Sequence, residues 1–458
     1  MNIKTNSKYL NDNDIFICIH DEMENRHKYI KDIKKAACIV VDKDIKNLIN
    51  NNIPYVKVNN TNDTFFEIYN KYYNYPLKSL NLIGVTGTDG KTTTATLIKD
   101  ILGNFTKTSY LGTNGFSYNS NNIKTNNTTP SIDETLKYAD ISRNNNCNYM
   151  VMEASSEGLL HNRCNNLTFK RIIITNITGD HLNVHKTFDN YLNSKLKLFS
   201  LLDKDKTAIV NIDDKSYEII KDKYPNYNLI TYGKNKNADF KISNIKIFEY
   251  KTEFNLEYKK KVYNINSPLI GVFNVYNLTS VIALLVSLNI EIDKVINNIK
   301  NIKEVSGRNN IFKTKNGATL ILDYAHTLNA IKEMMFFANK TRKGRVITIT
   351  GAAGGREKEK RKKIGKLISD FSDLVIFTMD DPRYEKVKDI NNDLKKNITK
   401  HNYVEIKNRK KAIKYAIKKA KKNDLILLLG KGTDNYMAIK NKKIKYNDLA
   451  VINKYIDK

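Results

Sequence analysis

The chain has 458 residues, too many for one ordinary core, so two or three domains are expected. Lys and Arg outnumber Asp and Glu by 77 to 48, a formal charge of +29, but the lysines scatter over nearly every polar stretch and form no focused stripe. That pattern argues against a nucleic-acid-binding protein, although such a field would draw in a substrate carrying several negative charges. The four cysteines stand far apart without metal spacing, the N-terminus is polar, and no apolar run approaches a membrane span. The expectation is a cytoplasmic protein with reduced thiols and no membrane partner.

In chain order, residues 1–78 read as a small α/β unit, with short strands at 15–19 and 37–41 between polar segments. A second unit, 79–303, opens on the strand Leu82-Ile83-Gly84-Val85, which runs into Thr-Gly-Thr-Asp-Gly-Lys-Thr-Thr. A helical pattern follows at Ala95, Leu97, Ile98, Ile101 and Leu102. Gly87 and Gly90 let the N–H groups around Thr88 and Asp89 turn toward a phosphate, and the helix N-terminus adds partial positive charge. Lys91 can reach terminal phosphates, the Thr92 hydroxyl can ligate Mg²⁺, and Thr93 completes the loop. The common P-loop would need glycine where Val85 stands, so this loop is a variant. Further strands are expected at 149–152, 171–175, 208–212 and 229–232 in a parallel sheet covered on both faces. An antiparallel meander over 238–268 and a helix over 274–288 close the unit.

The third unit, 304–458, repeats strand and helix, with strands at 319–322, 346–350, 374–378 and 425–429. It resembles a dinucleotide-binding order but lacks G-x-G-x-x-G; the loop Gly351-Ala352-Ala353-Gly354-Gly355 follows a strand and is expected to face a substrate. The fold class is therefore α/β in three parts. Polar clusters fall just after strands: Glu153-Ala154-Ser155-Ser156, Gly179-Asp180-His181, Asp323-Tyr324-Ala325-His326, Asp380-Asp381-Pro382-Arg383 and Gly430-Lys431-Gly432-Thr433-Asp434. Carboxyl ends of parallel strands are where such sheets bind ligands.

With T-G-T-D-G-K-T-T, N-T-T-P (127–130), M-E-A-S-S (152–156), D-H-L-N-V-H (180–185), S-K-L-K-L-F (194–199), G-V-F-N-V-Y-N (271–277), G-R (307–308), D-Y-A-H-T (323–327), D-D-P-R (380–383) and G-K-G (430–432) in this order, the chain resembles the Mur ligases. The third-residue-adding synthetase of peptidoglycan precursor synthesis is the nearest likeness. The resemblance implies ATP and Mg²⁺ as cofactors, with a UDP-linked muramoyl dipeptide and a free amino acid as partners of a monomer. An acyl phosphate would form on the D-Glu carboxylate and the amino acid would attack it. Thr92, Glu153, His181 and a carbamylated Lys195 would hold metal; Lys91 and Arg308 would neutralise phosphate charge. Asn274 and Asn277 match adenine contacts and Asp323 a ribose contact. Ser7, Asn127, Thr128, Thr129, Ser155, His161 and Arg163 match positions for the nucleotide-linked dipeptide. Arg356, Asp380, Asp381, Pro382, Arg383, Gly430 and Asp434 match the amino-acid pocket. Asn6-Ser7-Lys8 stands where the family has Asp-Ser-Arg, and a shortened first domain is expected.

Glu157, Ser306, Leu328-Asn329, Asp381 and Thr433-Asp434 depart from the family pattern. An arginine at 383 suits the distal carboxylate of meso-diaminopimelate, whereas an extra carboxylate at 381 would repel it and welcome an ammonium. A lysine-adding enzyme and a paralogous ligase for another acidic peptide or polyglutamate are therefore alternatives.

Overall fold

The computed structural model describes residues 2–45 and 53–457, and these fall into two compact units. One comprises residues up to 86 together with 102–172 and 193–208; the other comprises 87–101, 173–192 and 209–457.

In the first unit, strands Ile3–Lys4, Ile15–Ile17, Cys38–Val41 and Tyr55–Lys57 form an all-parallel four-stranded sheet in sequence order. Alternate side chains point to opposite faces, as the strand period demands. Phe16, Ile39 and Val41 pack with Ile30 and Ile33 on one side, while Ile17 and Val40 pack with Phe65 on the other. Strand Asn81–Thr86 pairs in parallel with Tyr149–Glu153, which pairs in parallel with Thr108–Gly112. Two strands absent from the sequence expectation, Gly115–Tyr118 and Asn121–Ile123, extend this edge antiparallel. The sheet is thus mixed, not purely parallel. Its added strands are short and partly Asn-rich, with weak apolar alternation to mark them.

In the second unit, helix Lys91–Leu102 follows the loop directly. Its expected apolar positions, Ala95, Leu97, Ile98, Ile101 and Leu102, are all at most 1% exposed. Strands Phe240–Ile247, Thr252–Tyr258 and Lys261–Ser267 make the expected antiparallel meander, and Val272–Ser287 the expected helix. The first meander strand pairs in parallel with Asn228–Gly233.

A six-stranded sheet runs in the order Asn310–Lys313, Thr319–Asp323, Leu425–Leu429, Val346–Thr350, Leu374–Phe377, Tyr403–Glu405. Its pairings are parallel except at the first strand. Ile321, Leu425, Leu427 and Leu429 face helices Leu328–Thr341, Lys358–Phe371 and Val387–Lys395. Leu320, Leu322, Ile426 and Leu428 face Arg409–Lys419 and Asp448–Tyr455. Both faces being covered explains why these strands read as unbroken apolar runs. A hairpin, Tyr436–Ile439 with Lys442–Lys445, follows the last long strand.

Candidate active site

In the second unit the chain turns sharply at Gly87 (φ 151°) and Gly90 (φ 85°). A Cβ at Gly87 would lie 1.8 Å from the Thr175 hydroxyl, and one at Gly90 would lie 2.4 Å from Asn277 Oδ1, so only glycine fits either place. Asn176 fixes the turn: its carbonyl accepts from Thr88 N–H at 2.7 Å and its Oδ1 from Asp89 N–H at 3.0 Å. The Lys91 ammonium folds back on the loop, donating to the Gly87 and Thr88 carbonyls at 2.9 and 3.0 Å. Asp89 in turn accepts from the Thr327 hydroxyl at 2.9 Å.

Arg308 Nη2 donates to Thr92 Oγ1 at 3.1 Å, and its guanidinium stacks on Tyr324, 4.5 Å from the ring centre. Asn274 and Asn277 are buried and form one chain: Asn277 donates to Asn274, which donates to Ile270 O and to Asn309 Oδ1. Asp323 clamps this neighbourhood, accepting from the N–H groups of Asn309 (2.9 Å) and Ala325 (2.7 Å). Burial pushes its pKa up despite nearby Arg308.

His181 adopts φ 54° and its Nδ1 lies 2.7 Å from Arg356 Nη1. Arginine can only donate, so Nδ1 accepts there. The neighbouring Asp180 is half-buried, which works to raise its pKa, yet His181, His326 and Lys360 hold it well below the carboxylate range. Lys360 donates to it at 2.9 Å, and Glu357 accepts from Leu182 N–H at 2.9 Å.

Asp380, Asp381 and Asp434 surround Lys431, whose side chain is 1% exposed, at 3.7, 2.8 and 3.6 Å. Asp381 also accepts from Ala438 N–H. The carboxylate expected to welcome an ammonium at 381 already faces one within the chain, that of Lys431. Burial raises the pKa of Asp434 against the pull of that lysine. Gly430 packs on Asp380, where a Cβ would lie 2.5 Å from Oδ2, and Pro382 offers its carbonyl to Glu385 N–H. Arg383 (φ 50°) pairs through its backbone with the 436–439 strand.

In the first unit Glu153 is fully buried. Its carboxylate accepts from the Tyr110 hydroxyl and from both N–H and hydroxyl of Thr113. Thr113 Oγ1 lies 3.1 Å from Thr128 Oγ1. Thr129 Oγ1 donates to Glu153 O, lies 2.9 Å from the Ser155 hydroxyl and accepts from Ser155 N–H. Arg163 donates to Thr129 O at 3.1 Å, and Ser155 caps helix Ser156–Leu160, at whose far end stands His161. Thr128, Thr129, Ser155, His161 and Arg163 thus share one neighbourhood, whereas Asn127 is exposed beside it. Ser7 stands in a separate short turn, Ser7–Tyr9. Lys195, on helix Phe188–Leu196, is only 1% exposed, unlike the solvated lysines around it. Sequence reasoning missed Tyr110, Thr113, Asn176, Asn309 and the pairing of Lys431. Asn176 was signalled by its place just after an expected strand; Tyr110 lies on a strand that was not expected.

A glycine-turned loop between a parallel strand and a helix, with a second parallel sheet farther along, defines a phosphate-loop α/β class. Residues 85–285 match the family described as Mur ligase middle domain, and residues 307–432 that described as Mur ligase, glutamate ligase domain. A UDP-N-acetylmuramoyl-L-alanyl-D-glutamate–2,6-diaminopimelate ligase 1 of Clostridium acetobutylicum is 34% identical over 99% of this chain and 94% of that protein. A UDP-N-acetylmuramyl-tripeptide synthetase 2 of Oceanobacillus iheyensis is 32% identical over 98% and 92%. Among solved structures, a UDP-N-acetylmuramoyl-L-alanyl-D-glutamate–2,6-diaminopimelate ligase aligns with TM-score 0.67 at 24% identity, covering 99% of this chain and 94% of that one. The chain belongs to the Mur ligase family, has its three-domain α/β fold, and is an ATP-dependent ligase.

Proposed function

We propose that the chain adds an amino acid, meso-diaminopimelate first among candidates, to the D-Glu carboxylate of UDP-MurNAc-L-Ala-D-Glu in peptidoglycan precursor synthesis. What supports this most is the relationship to the Clostridium acetobutylicum ligase, which runs through 99% of the chain. The proposed division is a UDP-binding-type domain at 1–78, an ATP-binding domain at 79–303 and an amino-acid domain at 304–458, working as a cytoplasmic monomer. Among the described residues no helix is long and apolar enough to cross a membrane.

The reaction brings a carboxylate up to a polyphosphate, so like charges must be neutralised before they meet. Lys91 swings from the Gly87 and Thr88 carbonyls to the terminal phosphates, while Arg308, braced on Tyr324, holds charge beside the Thr92 hydroxyl. The Thr92 hydroxyl and the buried Glu153 carboxylate are hard oxygen donors of the kind Mg²⁺ takes. With His181 and a carbamylated Lys195 they would hold Mg²⁺, which supplies positive charge to the phosphates. Thr128, Thr129, Ser155, His161 and Arg163 orient the dipeptide carboxylate for phosphorylation, with Ser7 and Asn127 contributing to the nucleotide-linked end. Asn274, Asn277 and Asp323 border the adenosine. The incoming amine is received near Asp434 and Gly430, and a distal carboxylate pairs with Arg383 or Arg356. The acids around Lys431 also support a lysine-adding reading.

The test is ADP and phosphate release by the purified protein with UDP-MurNAc-L-Ala-D-Glu against a panel of amino acids. Diaminopimelate-dependent turnover is expected; turnover with lysine alone replaces the amino acid, and turnover only with a polyglutamate acceptor overturns the muramoyl substrate.

A further inference from the structure

One acidic loop of the N-terminal sheet has no role in the chemistry above. Residues Asp21-Glu22-Met23-Glu24 close a tight turn in which Asp21 N–H donates to Glu24 O at 2.8 Å. Asp21 Oδ1 accepts from the N–H groups of Met23 (2.7 Å) and Glu24 (2.9 Å), which fixes the carboxylate's orientation. The remaining oxygen, Oδ2, lies 3.0 Å from His161 Nδ1. The Asp21 side chain is 15% exposed and that of His161 29%.

An ionised carboxylate can only accept, so the proton of this hydrogen bond sits on Nδ1. Burial works to raise the pKa of Asp21, yet the bonds from His161, Met23 and Glu24 bring it below its ordinary value, so it is ionised at neutral pH. With Nδ1 held, the ring cannot flip, and Nε2 is the atom left to meet a ligand. The same ordering of an imidazole by a carboxylate fixes tautomer and direction in metal and catalytic sites. His161 stands at the end of the short helix that Ser155 caps, in the neighbourhood of Thr129 and Arg163. A second contact holds the loop in place: Lys197 donates to Glu22 at 2.5 Å.

We infer that Asp21 is a positioning residue, which locks His161 as an Nδ1–H donor so that Nε2 is presented to the nucleotide-linked dipeptide. The inference rests on the reading of His161 as a substrate contact. Its consequence is that a loop of the N-terminal sheet sets affinity for that substrate without touching it.

Asp21→Asn keeps both backbone acceptances through Oδ1 but lets an amide donate to Nδ1, so folding is preserved while the histidine is freed to change tautomer. In nitrogen-detected NMR of the full chain, the His161 ring nitrogens are expected to move from the Nδ1–H pattern toward Nε2–H. The KM for UDP-MurNAc-L-Ala-D-Glu should rise about tenfold, the scale of one charge-assisted hydrogen bond, with kcat and the KM for ATP nearly unchanged. In Asp21→Asn combined with His161→Ala, the first change should add nothing to the second. Additive losses, unchanged His161 nitrogen shifts, or an equal rise in the KM for ATP would overturn the inference. Should His161→Ala itself leave the dipeptide KM unaltered, the substrate reading of His161 fails and carries the inference with it. Should His161→Ala raise that KM while Asp21→Asn does not, only the inference fails.

Discussion

At the residue scale, two buried or loop-bound lysines separate themselves from a strongly basic background. The Lys91 ammonium donates to the Gly87 and Thr88 carbonyls of its own loop, and Lys91→Ala should keep a cooperative thermal unfolding transition. It should cut ATP-dependent ligation by about a hundredfold or more, since removing one preorganised charge from such a site costs that much. Normal turnover would remove the phosphate-loop role. Lys195 is buried on its helix, and a carbamate there would turn its ammonium into an anionic oxygen donor for Mg²⁺. Lys195→Ala should be nearly inactive and partly restored by formate or acetate, which supply a carboxylate where the carbamate stood; activity without rescue would exclude carbamylation. Asp381 shows what a sequence cannot tell. Its departure from the family pattern was legible, but its partner was not, because Lys431 lies fifty positions away and follows Leu425–Leu429, a strand that Val346–Thr350 separates from the one before Asp381. Asp381→Asn therefore removes the nearest counter-charge of a lysine that is 1% exposed. It should lower kcat/KM with every amino acid instead of favouring diaminopimelate; a selective gain with diaminopimelate would mean that the pair opens on binding.

At the scale of elements, the long buried strands were legible and the short polar ones were not. Val346–Thr350 and Leu425–Leu429 fall where the apolar runs placed them, because both faces of that sheet are covered. Gly115–Tyr118 and Asn121–Ile123 escaped, since an edge strand needs few apolar residues and its stability comes from pairing. The loop at Asp380-Asp381-Pro382-Arg383 is held by an element contact that no motif announced. Arg361, inside helix Lys358–Phe371, donates to both oxygens of Glu385 and to Asp393. The Arg361 bond and burial act in opposite directions on Glu385, and the bond wins, bringing its pKa from 4.5 to about 2. A depressed carboxylate contributes stability that is full above about pH 4.5 and is lost as pH falls toward 2. Urea unfolding followed between pH 7 and pH 3 should show a steeper loss for the native chain than for Glu385→Gln, whose stability is lower at neutral pH and flatter below. Parallel curves would mean that the clamp contributes nothing.

At the scale of the whole molecule, the charge of +29 is what composition shows most plainly and what motif reading explains least. Some surface lysines pair with acids, as Lys170 does with Asp203 and Asp205 and Lys343 with Glu249, while the sum stays positive. Such a field acts at range, and its reach shrinks to about 8 Å at physiological ionic strength. The nucleotide-linked dipeptide and ATP are polyanions, whereas the incoming amino acid is close to neutral overall. Raising salt from about 20 mM to about 300 mM at fixed free Mg²⁺ should therefore lower kcat/KM for the dipeptide substrate several-fold by weakening steering, and alter that for the amino acid far less. Retention on heparin should vanish at the upper salt, because scattered lysines release few counterions at any one place. Equal salt dependence for all three substrates would locate the effect in the chemistry or the fold, and heparin binding that persists would mean that the basic charge serves a nucleic acid after all.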